Sequence, residues 1–78
     1  MKKPQLLTEL DLMKFAKRYR ESAGVTRAQA ARDMGVKHPS IFHAEESPKM
    51  SFSKLRIRLI EAYSPFKIRG PVFILEEK

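Results

Sequence analysis

Apolar residues recur at three- and four-residue spacing in four separate stretches of the chain, and each stretch predicts a short amphipathic helix. In the first, Leu10, Met13, Ala16 (or the stem of Lys17), Tyr19 and Ala23 share one stripe, while Lys14, Lys17 and Arg18 mostly lie off it. Thr8 is placed to cap this helix, Glu9 and Asp11 suit its positive end, and Gly24 is placed to stop it, which predicts a helix over 9–23. Thr26 caps the second, over 27–34, whose Ala28, Ala30, Ala31 and Met34 give a small-residue face that neighbours can approach closely. Gly35 fits a left-handed turn that a residue with a Cβ resists, and Val36 closes the turn. The third helix is predicted from near His38 to Glu46, with Pro39 in the first turn, where its missing N–H has no helical partner anyway. Its Ile41 and Ala44 face inward. After a Ser47-Pro48-Lys49-Met50 loop, Ser51 caps a fourth helix that runs to Tyr63. Its stripe is Phe52, Leu55, Leu59, Ala62 and Tyr63, with Lys54, Arg56 and Arg58 on other faces, and Ser64-Pro65 ends it.

The pattern changes after Pro65. Gly70-Pro71 is a turn signal, and Val72-Phe73-Ile74-Leu75 is a β-branched and aromatic run of strand length. The expected fold is mainly α, a compact bundle of four helices with a helix-turn-helix, plus a C-terminal β-strand. Residues 1–7 read as a loose basic arm, 8–64 as the helical domain, and 65–78 as a turn and strand. There is no internal repeat and no low-complexity tract.

Composition narrows the chemistry. A chain of 78 residues holds one small core, which self-association would help to stabilise. It has no cysteine, so disulfides and thiolate zinc sites are excluded. No apolar run approaches the roughly 18 residues of a membrane span, and Lys2 and Lys3 precede only Leu6 and Leu7, so a cytoplasmic protein is expected. Lys+Arg number 16 against 9 Asp+Glu, a formal charge of +7, which favours a polyanionic partner, nucleic acid first. Charge alone fits a merely basic protein equally well. A membrane-surface helix is disfavoured, because none pairs a fully basic face with a large aromatic one. Two histidines and scattered carboxylates make no nucleophile–base–orienter set, and there is no glycine-rich phosphate loop, so no enzyme is expected. His38 and His43 are five apart, off the spacing of a helical metal pair; no metal, cofactor or small-molecule ligand is expected.

The stretch from Thr26 to Glu45 then sharpens the reading. Ala23-Gly24-Val25-Thr26, Ala31, Gly35 and Ile41 match a pattern of alanines, turn glycines and an inward aliphatic residue six after the second glycine. On these residues the chain, over roughly 10–63, resembles the lambda-repressor, Cro and Xre family of helix-turn-helix DNA-binding domains. The resemblance implies that the third helix enters the DNA major groove. It puts Arg27, where the family usually has Gln, on a phosphate, and Lys37 on another. His38, Pro39, Phe42 and His43 would face the groove, with Ser40 on phosphate or base. Imidazoles can hydrogen-bond guanine, and the rings of Phe42 and Pro39 suit a thymine methyl. These positions carry no Arg, Gln or Asn, so specificity would lean on methyl contacts and DNA shape. On the residues alone, the alternative for Phe42 is a core position, if the helix is rotated from this placement. Lys49, Ser51 and Ser53, with Lys54, would grip the backbone at the start of the fourth helix, while Arg56 and Arg58 read as solvated. The resemblance further implies an Arg20–Glu45 pair that fixes the angle between the first and third helices.

The tail departs from the family, which usually adds a fifth helix. Val72, Phe73, Ile74 and Leu75 are expected to pair with the same strand of a second copy, as in Cro proteins; the alternative is a strand folded back on Phe66–Arg69. A two-fold dimer would set two recognition helices about one DNA turn, ~34 Å, apart on an inverted repeat. The expected function is a sequence-specific double-stranded DNA-binding regulator, a dimeric autorepressor of the kind carried by phage and other mobile elements. The alternative is an antitoxin-like interaction module that docks its C-terminal segment on a partner protein.

Overall fold

A computed structural model describes residues 5–69 and 73–78. Among them the elements run β1 (Gln5–Leu7), α1 (Glu9–Ser22), α2 (Arg27–Met34), α3 (His38–Glu46), α4 (Ser53–Tyr63), β2 (Phe66–Arg69) and β3 (Phe73–Glu77). Local chemistry sets most of these boundaries. The Thr8 hydroxyl accepts from the Asp11 N–H at 3.1 Å, and the Asp11 carboxylate accepts from the Thr8 N–H at 3.0 Å, a reciprocal cap on α1. The Thr26 hydroxyl caps α2 through the Gln29 N–H at 3.1 Å. Both α1 and α2 end in the same way. Gly24 and Gly35 take φ of 71° and 68°, and the following valine N–H reaches back five residues, Val25 to the Arg20 carbonyl and Val36 to the Ala31 carbonyl. α3 starts at His38 with Pro39 in its first turn.

The core draws on every element but β2: Leu7, Leu12, Ala16, Ala30, Ala31, Ile41, Ala44, Leu55, Leu59, Ile60 and Leu75 are buried. Two expected stripes turn out rotated. Leu10 is 46% exposed, while Leu12 and Ala16 are fully buried. α1 carries two overlapping stripes, and the one through Leu12, Phe15, Ala16 and Tyr19 faces the core because α1 leaves β1 directly below the buried Leu7. On α4, Ala62 is exposed and Ile60 takes the inward place. That helix starts at Ser53, behind Phe52, so Ser51 does not cap it. No helix among the described residues is long and apolar enough to cross a membrane.

The strands form an antiparallel sheet in the order β1-β3-β2. Phe66 and Ile68 alternate inward, and Phe66 meets Tyr19 with ring centroids 5.9 Å apart. Two expectations are corrected here. Gln5–Leu7, read as part of a loose arm, is an edge strand whose Leu7 pairs with Phe73; Lys2 and Lys3 lie outside the described residues. Phe73, Ile74 and Leu75, expected at a dimer seam, are the centre of the sheet. Leu75 pairs with Gln5 on one side and Ile68 on the other. Among the described residues β1 flanks β3 over 73–75 and β2 flanks it over 74–77, so Ile74 and Leu75 have strands on both sides within the chain. Val72 lies outside the described residues.

Two consequences are measurable. A Cβ added at Gly35 would meet nothing within 4 Å, so Gly35→Ala meets only the left-handed backbone penalty. Urea unfolding should show a loss of about 1–2 kcal/mol for Gly35→Ala and less for Gly35→Asn; equal stability would mean the turn relaxes freely. The Tyr63 hydroxyl, on α4, donates to the Asp33 carboxylate of α2 at 2.8 Å. Burial first, then Asp33, pushes the phenol from 10.0 up to about 12. A raised acid pKa stabilises the fold below the unfolded value and loses that contribution as pH rises from about 10 through about 12. Wild type should therefore lose stability relative to Tyr63→Phe across that alkaline window, and parallel pH curves for the two would refute the coupling.

Candidate nucleic-acid interface

α3 is held from below by Ile41, Ala44 and Glu45, which are buried, and presents its other face outward. Lys37, His38 and Pro39 are exposed, Phe42 is 45% exposed, and Ser40 and His43 are half-buried. Phe42 is thus a displayed ring rather than a core residue.

The inward anchor is ionic. Glu45 has no exposed side-chain surface. Arg20 grips it with two hydrogen bonds, Nε to Oε2 at 2.5 Å and Nη2 to Oε1 at 2.9 Å, and uses Nη1 on the Val25 carbonyl at 2.7 Å. Arg27 adds a third bond, Nε to Oε1 at 3.0 Å. The chain of charges continues outward: Arg27 Nη2 meets Glu46 at 2.6 Å, and Lys17 Nζ meets the same Glu46 oxygen at 2.7 Å. The hydrogen bond from Lys17, with Arg27 behind it, holds the Glu46 carboxyl below the usual carboxylate range, and Glu46 in turn raises the Lys17 ammonium. Arg27, expected on a phosphate, has Nε and Nη2 on carboxylates, and its guanidinium carbon sits 5.0 Å from the centre of the Phe42 ring.

His43 is also drawn into the protein. Its Nδ1 lies 3.0 Å from the Ser47 hydroxyl, and its ring stacks on Phe52 with centroids 6.2 Å apart. Of the five residues expected at bases, His38, Pro39 and Phe42 are thus the well-displayed ones, flanked by Ser40.

No family model, curated protein or solved structure matches the chain.

Beside α3 runs an open groove whose walls include Ser40 from α3 and Ser51, Ser53, Lys54 and Arg58 around the start of α4, over Val36, Phe52 and Leu55. It gathers four of the residues expected at phosphates. No side chain caps the N-terminus of α4, whose positive dipole end opens beside them. Ser53 is already engaged, as its hydroxyl bonds the Glu9 carboxylate. Lys37 and Lys49 are exposed at the two ends of α3. Among the described residues no three His, Cys, Asp or Glu side chains gather in a way that could hold a metal ion.

The residue that the sequence reading misplaced is Arg56. It is 1% exposed, not solvated. Its Nε bonds the Ala44 carbonyl at 2.8 Å, Nη2 the Ser47 carbonyl at 3.0 Å, and Nη1 the Glu9 carboxylate at 3.1 Å. It thereby satisfies the C-terminal carbonyls of α3, where a cation is favoured. The available signal was positional: Arg56 is three before Leu59 and four before Ile60, on the face that α4 buries. Arg58 likewise bonds the Met34 carbonyl that ends α2, at 2.8 Å.

Removing the Glu45 carboxylate leaves Arg20 buried beside Arg27 with no anion between them. Glu45→Ala should lower the unfolding free energy by about 3–5 kcal/mol in urea titration, against under about 1 kcal/mol for Glu77→Ala at the exposed sheet end. Comparable small losses for both would show that the network carries no net stability.

Proposed function

We propose that the chain is a sequence-specific double-stranded DNA-binding regulator that lays α3 in the major groove and represses by occupying its operator. One observation carries the reading. α3 is a short helix locked on its inner face by Ile41, Ala44 and Glu45, yet it displays His38, Pro39 and the 45%-exposed Phe42 ring outward, with Ser40 half-buried beside them. A left-handed turn at Gly35 joins α2 to that helix, the kind of short glycine connection that a helix-turn-helix uses. Lys37, Lys49 and Lys54 stand around it without a carboxylate partner among the described residues, where the two phosphate strands flanking a groove would pass. The formal charge of +7 supplies the long-range attraction.

The reading keeps two copies on an inverted repeat as its simplest operator geometry, since each small domain offers one helix of three turns or fewer to the DNA. The outer strands of the sheet are β1 and β2, and those are the edges that strand-mediated pairing of copies would use first.

The deciding experiment is selection of bound fragments from a random duplex library, followed by footprinting. A protected inverted repeat with half-sites about one turn apart is the expected result. Binding of equal strength to every fragment would reduce the basic charge to a non-specific handle. On the selected site, Lys37→Ala and Lys54→Ala should each lower the slope of log affinity against log salt by about 0.9 and weaken cognate and random DNA alike. Unchanged slopes would remove both from the phosphate contacts.

A further inference from the structure

Phe42 presents an unusual combination for an exposed aromatic residue. It is 45% exposed on the outer face of α3, yet it is not free to swing. The Arg27 guanidinium lies 5.0 Å from its ring centre, and the His43 ring packs on it edge-to-face at 5.6 Å. Arg27 is itself fixed, by Glu45 at 3.0 Å and Glu46 at 2.6 Å. A ring supported by neighbours from α2 and α3 keeps its orientation without losing its outward surface. Arg27 already gives Nε to Glu45 and Nη2 to Glu46, and two carboxylates balance its charge, which weakens its pull on a phosphate. Its geometry suits it to hold the ring.

We infer that Phe42, positioned by Arg27, recognises the C5-methyl group of a pyrimidine in the DNA major groove, of thymine or of 5-methylcytosine. The inference rests on the DNA-binding reading above and deepens it. That methyl is the one apolar group a base pair offers in the major groove, and cytosine and uracil lack it. The displayed positions of α3 carry no Arg, Asn or Gln to read purine edges in the usual two-bonded way, and beside the single hydrogen bonds open to His38 and Ser40 the Phe42 ring is the group suited to an apolar contact. Binding then responds to cytosine methylation wherever the contacted pyrimidine is a cytosine. In this arrangement Arg27 is a positioning residue that touches Phe42 rather than the base.

The test uses the full chain and the duplex recovered by fragment selection. Each thymine in the footprint is replaced in turn by deoxyuridine, and each cytosine by 5-methylcytosine. The expected result is a roughly fourfold loss at one or two thymines per half-site, or a similar gain at one methylated cytosine, the size of one buried methyl group. Phe42→Ala should make binding indifferent to that same methyl. Arg27→Gln should shrink the methyl effect and leave the salt slope unchanged; a slope lower by about 0.9 would return Arg27 to a phosphate and overturn its positioning role. The unmodified protein with the base-substituted duplexes decides the central point even if a variant fails to fold. Equal affinity with and without every methyl overturns the inference while DNA binding stands. Failure to enrich any fragment overturns the DNA-binding reading and the inference with it.

Discussion

A carboxylate with no exposed side-chain surface has to be met by cations, and Glu45 is met by two, Arg20 from α1 and Arg27 from α2. Desolvating such a group costs several kcal/mol unless its partners are well placed, so α3 can sit only where both guanidinium groups reach it. Apolar packing is more forgiving: Ile41 and Ala44 would remain buried under a modest rotation of α3. The two-pronged contact from Arg20 would not survive one, because it demands both distance and plane. Arg20 also binds the Val25 carbonyl in the connection between α1 and α2. One acid therefore fixes the relative setting of three helices, and with it the direction of the exposed face of α3.

The other end of α3 is fixed by the opposite arrangement, a buried cation on backbone oxygens. Arg56 reaches the Ala44 and Ser47 carbonyls and is balanced by Glu9 at the start of α1. Glu9 also takes the Ser53 hydroxyl. The N-termini of α1 and α4 and the C-terminus of α3 are thus joined by one small polar cluster, which has no unsatisfied buried side-chain atom. With both ends held by charges that point inward or along the axis, the exposed His38 and Pro39 carry little of the packing of α3, whereas His43 and Phe42 still touch Phe52, Ser47 and Arg27.

Much of the fold was legible because it is written in local chemistry. Thr8, Thr26, Gly24, Gly35, Pro39 and Pro65 mark helix ends through caps, turns and missing donors, which need no knowledge of the rest of the chain. What was not legible depends on distant partners. Arg56 reads as a solvated helical charge until the carbonyl ends of α3 are known to lie beside it. The rotation of α1 is ambiguous in sequence, since Leu10–Met13 and Leu12–Phe15–Ala16 both make stripes, and the buried Leu7 selects between them. The strand Phe73–Leu75 was recognisable, but its partners were not: Gln5-Leu6-Leu7 is too short to carry a strand signal, yet its pairing decides that β3 is a centre rather than an edge. At the candidate interface, the display of His38 and Pro39 followed from the spacing of Ile41 and Ala44, while that of Phe42 depended on the rotation of α3, which the sequence left open. The engagement of Arg27 and His43 within the protein did not, because both are reactive to neighbours one turn or one helix away.

The distribution of charge gives the net +7 its meaning. Lys17, Arg20, Arg27 and Arg56 are tied to Glu46, Glu45 and Glu9, and Lys67 and Arg69 to Glu76, so these cations contribute little field outside the protein. The lysines around α3 are different. Lys37 precedes it, Lys49 follows it and Lys54 opens α4, and none has a carboxylate partner among the described residues. Between them the helix offers rings and hydroxyls, with almost no charge. For a ligand whose edges are anionic and whose middle carries hydrogen-bonding and methyl groups, that division separates attraction from discrimination. On the proposed DNA-binding reading, the lysines would hold any duplex at a strength that salt weakens. The neutral face between them would decide which duplex stays.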